Sequence, residues 1–192
     1  MQLVLDICQA MGLGAACGIS PFLPVLVAGG LAKANFGVDF EHTSYAFLES
    51  SWFLLGATVA FVATTLLRGY FKEGVRADAL ATVGIVLGVL EGAGTMADHH
   101  RSAIVGGVIA GLCAVLAALA TRDLLGRVRA RLDAASAAAL FLYAYGASLV
   151  VALAAILAPP LSIVVVGFLL WLLIGGRRRS QEKYAGLRSL RK

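Results

Sequence analysis

Charge is what this sequence lacks most. Asp, Glu, Lys and Arg make up 14% of its 192 residues, while 60% are hydrophobic; a soluble domain carries about 25% charged residues. So few charges cannot keep a folded surface in water, which excludes a soluble domain, but they suffice for a surface that meets lipid. Cysteine is scarce too. Cys8, Cys17 and Cys113 sit singly in apolar stretches, which excludes a disulfide framework and leaves small core side chains. No Lys or Arg precedes Lys33, and Asp6 lies in the opening stretch, so the basic start of a cleaved signal peptide is missing. Motifs for nucleotide loops, serine hydrolases and zinc peptidases are absent, and the Gly-rich run Gly12–Gly18 has no Lys-Ser/Thr after it. Enzyme activity is therefore disfavoured, although an intramembrane transferase stays open, and neither cofactor nor metal is expected.

What is present is apolar and segmented. Runs at 3–34, 51–67, 79–97, 103–121, 135–157 and 161–176 each approach the roughly 20 residues of a membrane span. The predicted fold is all-α, a polytopic transmembrane bundle of about six segments over 1–176, followed by a basic tail at 177–192. The net charge of +5 does not point to nucleic acid, because of where the basic residues lie. Of the 16 Lys and Arg residues, all but Lys33 and Arg101 fall in 68–78, 122–133 or the tail. Loops 35–50 and 98–102 are acidic or mixed. This alternation follows the positive-inside rule and predicts a bacterial plasma-membrane protein with a cytoplasmic C-terminus.

The first run is too long for one crossing. As a single helix, its 32 residues would span about 48 Å against a hydrocarbon core of about 30 Å. Gly12, Gly14, Gly18, Pro21 and Pro24 lie within it, and Gly and Pro weaken helices. The expectation is a break near Gly18–Pro21, with unwound backbone over Gly14–Ser20. The segment then either crosses once or returns as two arms; charge does not decide between them. Gly84, Gly88 and Gly92 recur at spacing four, a stripe that lets two membrane helices approach closely. Residues 122–133 set Leu124, Leu125, Val128 and Leu132 against four arginines, the pattern of an interfacial amphipathic helix. Pro159 and Pro160 predict a tight turn. Gly-Gly pairs at 29–30 and 106–107 hint at duplication, and inverted repeats with interrupted helices typify transporters.

Ionisable groups inside the bilayer mark candidate sites, because burying charge there costs several kcal/mol. Glu91 lies deep in its run, on the helical side that carries Gly84, Gly88, Thr95 and Asp98. It either exchanges a proton or binds a cation or headgroup, or it is a neutral carboxyl that joins two helices. Asp98-His99-His100-Arg101 is a poor metal motif, since adjacent histidines diverge on a helix, and reads as a solvated turn. Asp6 is either a site residue or a snorkelling side chain. The expected pathway comprises Glu91, Asp98, Thr95, Gly14, Gly18, Ser20, Pro21 and Asp6, and the expected packing face comprises Gly84, Gly88 and Gly92.

Four stretches carry a resemblance: Gly12–Ala32, Phe47–Val62, Val86–His100 and Gly175–Lys192. They resemble bacterial membrane proteins of domain-of-unknown-function family 4126, particularly actinobacterial-type members. The resemblance implies a multi-pass inner-membrane protein and brings no catalytic residues. The leading expectation is a small transporter, channel or lipid-translocating protein. The rival is a non-catalytic subunit or assembly factor of a larger membrane complex. Membrane lipids are the expected partners, a homo-oligomer or larger complex is compatible with the sequence, and nucleic acid is not expected.

Overall fold

A computed structural model of the chain describes residues 2–67, 73–98, 100–132 and 134–189, with side chains given over 2–67, 74–98, 100–132 and 139–175. Arg68, Lys72, His99 and the basic side chains of the tail lie outside these residues. Among the described residues the chain forms seven α-helices and no strand. They are α1 (Gln2–Ile19), α2 (Phe22–Lys33), α3 (Ser51–Leu66), α4 (Glu73–Asp98), α5 (Ala103–Arg129), α6 (Ala134–Leu157) and α7 (Leu161–Ser189). A 3-10 turn, Ala46–Glu49, precedes α3. Helices α1, α4, α5 and residues 139–157 of α6 are long and apolar enough to cross a bilayer, while α2, α3 and Leu161–Gly175 are shorter apolar helices. Large apolar side chains point outward along the bundle, among them Val59, Ile104, Leu112, Val150 and Val164. Such a surface suits lipid and would aggregate in water. The protein is a multi-pass helical membrane protein.

The first apolar run makes two helices, so six runs yield seven helices. Gly14 and Gly18 do not unwind the chain: α1 stays helical through Ile19, and the departure from helix is confined to Ser20 and Pro21. Pro21 lacks the N–H needed to continue the helix, and Ser20 N–H still donates to Ala16 O at 3.0 Å. The chain then returns towards the face it came from. Gln9 Nε2 donates to Gly37 O at 3.0 Å, and Leu13 shares a core cluster with Ala32, Val38 and Phe40. Two collinear helices would hold Gln9 and Gly37 some 40 Å apart; the run is therefore a hairpin, and Gln2 begins on the same face as the 34–50 loop.

This hairpin is the centre of the bundle. Helix α1 packs against α4, α5, α6 and α7, while α2 lies mainly against α3 and α6. Several of the contacts at the centre of the bundle are between backbones. A Cβ at Gly14 would strike Ala110 of α5, and one at Gly18 would strike Ala114. Gly84 faces the Cys17 carbonyl, Gly88 lies against Gly14 and Cys17, and Gly92 leaves no space between itself and Gly106 or Ala110. Tight approach of this kind replaces the hydrophobic driving force that lipid removes. Ser148 of α6 adds a hydrogen bond to Ala16 O at 3.0 Å, which satisfies a hydroxyl in an apolar interior. Helix α3 has no buried residue. It meets α6 through Phe61 and Tyr145, whose rings lie 5.2 Å apart.

Two other sequence expectations change. Residues 122–129 do not form a separate interfacial helix; α5 runs unbroken to Arg129, because no proline interrupts it and Gly126 alone is a weak stop. The proposed duplication is not matched by the packing either, since α4 and α5 pack together extensively and α1 and α2 touch little. Helix α4 starts at Glu73, ahead of the apolar run at 79.

The expected outcome of crowding the central contact is specific. Gly14→Val should destabilise the detergent-solubilised protein by about 3 kcal/mol, as overpacking does. Gly146→Val, where a Cβ meets nothing within 4 Å, should change the midpoint little. Thermal unfolding followed by circular dichroism checks both.

Candidate functional site

The two faces of the bundle differ. One carries the 34–50 loop, the 100–102 turn and the Ala158–Pro160 turn between α6 and α7; the other carries Ser20–Pro21, the start of α4 and the end of α5. The first is closed. Phe40 is fully buried, its ring lying against Gly94 of α4, and Leu48 of the same loop is also buried. Asp39 Oδ1 accepts from Glu41 N–H at 2.8 Å and Thr43 Oγ1 donates to Phe40 O at 2.9 Å, which hold the loop in a turn that presents Phe40 inward. Asp6, 3% exposed, pairs with Arg101 Nε at 3.1 Å, linking α1 to the 100–102 turn.

Among the described residues the opposite face is open, and the reason is a mismatch in length. The α1–α2 turn stops level with Gly84 of α4 and Ala114 of α5, which contact Cys17–Pro21. Helix α4 begins at Glu73 and α5 ends at Arg129, roughly 16 and 22 Å further towards this face. The missing length leaves a cavity of about 340 Å³. Its roof is Gly18–Phe22; its walls come from α3 (Phe61, Thr64), α4 (Arg76, Leu80), α5 (Thr121, Arg122, Leu125, Arg129) and α6 (Phe141, Tyr145). Among the described residues the lining includes three arginines. Arg122 also pairs with Asp78, which lies outside the lining. Ser20 lies in the roof, 2% exposed, and its Oγ has no hydrogen-bond partner among the described residues. A buried, unpartnered hydroxyl is uncommon and calls for a reason.

The residues expected from sequence separate into two places. Ser20, Pro21 and Gly18 line the cavity. Glu91, Thr95 and Gly92 are buried in the bundle between the two faces, Gly14 and Gly88 are packed against one another there, and Asp98 is partly buried at the closed end of α4. Glu91 is 1% exposed and does not line the cavity. Cys17 Sγ lies 3.8 Å from Glu91 Oε2, and Thr95 Oγ1 donates to Gly92 O at 3.1 Å. Asp6 stands apart, beside Arg101. Sequence reasoning treated Arg76, Arg122 and Arg129 as topology markers and did not assemble them into a site. One signal was available: Ala118, Arg122, Leu125 and Arg129 recur at helical spacing, which puts them on one face of α5.

The Glu91–Cys17 contact is testable by stability. Glu91→Gln keeps the shape and an acceptor for Cys17, so the unfolding midpoint should move little. Glu91→Ala opens a void between α1 and α4 and should cost about 2–3 kcal/mol.

No curated protein and no solved structure matches this chain. The model of one family, described as a domain of unknown function (DUF4126), matches residues 7–179, and the chain belongs to that family.

Proposed function

We propose that this protein is a small transporter of the bacterial plasma membrane, with its solute vestibule in the cavity beneath the α1–α2 turn. One observation carries the reading. An interrupted hairpin ends inside the bundle and roofs a cavity lined by three arginines, the arrangement in which transporters expose helix ends to a polar solute. By the positive-inside rule the arginine-bearing face is cytoplasmic, as is the C-terminus. In this state the vestibule opens inward, and Phe40 and Leu48 close the other side. A pathway through the bundle passes Gly18, Cys17, Glu91 and Thr95 and reaches Asp98 and Asp6 near the closed face. Glu91 is a buried group midway along it that can carry a proton.

The rival reading, an accessory subunit, draws support from the burial of Glu91 (1% exposed). Gly84, Gly88 and Gly92 give it no docking face, since they are covered by α1 and α5. Cysteine accessibility in vesicles separates the two. Thr121→Cys, in the vestibule, should react with a membrane-impermeant maleimide from the cytoplasmic side. Ala93→Cys, 4% exposed beneath the loop, should react slowly from the outside if the protein alternates. Complete protection of Ala93→Cys from both sides, with Thr121→Cys labelled, would exclude alternation and favour the subunit.

A further inference from the structure

The seam between α1 and α4 holds a carboxyl group that its glycine packing does not require. Glu91 is 1% exposed, and among the described residues its one polar contact is the Cys17 thiol at 3.8 Å. The elements around it bring no cation. Helix α1 presents Gly14 and Cys17 to α4, and α5 presents Gly106, Ala110 and Ala114. Cys113 of α5 clusters instead with Ala15 and Val166. The 34–50 loop contributes Tyr45, which lies against Gly94. Lys33 of α2 bonds to Ser51, and Asp6 of α1 is held by Arg101. On α4 itself, Asp98 stands seven residues beyond Glu91, about 10 Å along the axis.

The two protonation states of this carboxyl need different surroundings. The neutral form fits the closed seam with the thiol beside it and leaves no charge in the bilayer. The carboxylate is costly there until water or a cation reaches it. A metal cation asks for several oxygen ligands, and a thiol is no substitute; a proton needs none. Water has to come along the seam. Its nearest source is the cavity, whose roof meets Gly84 at the Cys17 carbonyl and Pro21, seven residues or about 10 Å from Glu91. Over that distance Gly84 and Gly88 lie directly against Gly14 and Cys17, so there is no bulky side chain to swing aside. The helices themselves must part.

We propose that Glu91 is a proton-operated latch of the α1–α4 seam. Protonated, it lets the seam close as it stands in this structure; ionised, it parts α1 from α4 and draws water in from the cavity. Only an O–H bond breaks and re-forms: the proton passes to water entering the seam, and the electron pair stays on the carboxylate. The inference deepens the transporter reading and rests on it for one point, that the opening serves a solute. The proton is then the coupling ion.

Infrared spectroscopy and amide hydrogen exchange of the full chain in lipid nanodiscs, followed over a pH series, test this against E91Q, which is permanently neutral. Wild type should show the carbonyl band of a protonated carboxyl that E91Q lacks, and the band should vanish as pH rises. Over the same interval, peptides covering Gly12–Ser20 and Gly84–Glu91 should exchange about tenfold faster or more in wild type than in E91Q, as a local opening does. Comparison at equal pH cancels the intrinsic pH dependence of exchange. Peptides of α6 and α7 should keep pace in both chains, and if E91Q does not fold they are the reference within wild type. Identical infrared spectra in the two chains would overturn the latch. So would loss of the band while the seam peptides exchange equally. Labelling of Ala93→Cys from outside at one rate with and without E91Q would overturn the proton as coupling ion and leave the transporter reading standing. Opening of the seam without any labelling of Ala93→Cys would sink the transporter reading and keep the latch.

Discussion

The close approach of α1 to α4 and α5 is the constraint on which the rest of the structure depends. Lipid gives helices little reason to associate, so a membrane bundle needs contacts that bare backbone allows and side chains would prevent. Gly14 and Gly18 against Ala110 and Ala114, with Gly92 against Gly106, supply them at the centre of the molecule. Because these contacts fix the depth of α1, they also fix where its turn stops. The turn stops short, and α4 and α5 continue past it. The cavity is a consequence of that difference in length, and its arginines are the residues that α4 and α5 carry to the membrane edge.

The same packing explains why the two ends of the bundle behave differently. On the loop face the returning chain covers the helices, with Phe40 wedged against Gly94 and Asp6 paired with Arg101. On the arginine face no comparable segment covers the α1–α2 turn among the described residues. Glu91 lies between, in contact with Cys17 and sealed from both ends. A carboxyl in that position has to be a structural hydrogen-bond partner or a group reached only after rearrangement, and it is the point on which the transporter and subunit readings diverge.

Much of the fold was legible because hydropathy alone determines where helices cross a bilayer. The turn at Pro159–Pro160 could be read from proline chemistry. The direction of the first run could not, because positive-inside reasoning needs basic residues and none precedes Lys33. Gly14 and Gly18 are ambiguous in the sequence for a related reason: a glycine in a membrane segment can unwind a helix or admit a neighbour, and only the partner, α5, resolves it. The candidate site was half visible. Glu91 and Ser20 could be found as polar residues in apolar surroundings. Arg76 and Arg129, 53 residues apart in the chain, converge only through the packing of α4 on α5.

The central claim is that the first apolar run folds back, which brings the N-terminus to the side of the 34–50 loop and leaves the cavity opposite. Single cysteines at Gln2, Asp39 and Arg131, each in a chain with its native cysteines replaced by alanine, can be labelled with an impermeant maleimide in oriented vesicles. The account predicts that Gln2→Cys and Asp39→Cys react from the same side and Arg131→Cys from the other. Labelling of Gln2→Cys together with Arg131→Cys would mean that the run crosses once, and would remove both the hairpin and the cavity it roofs.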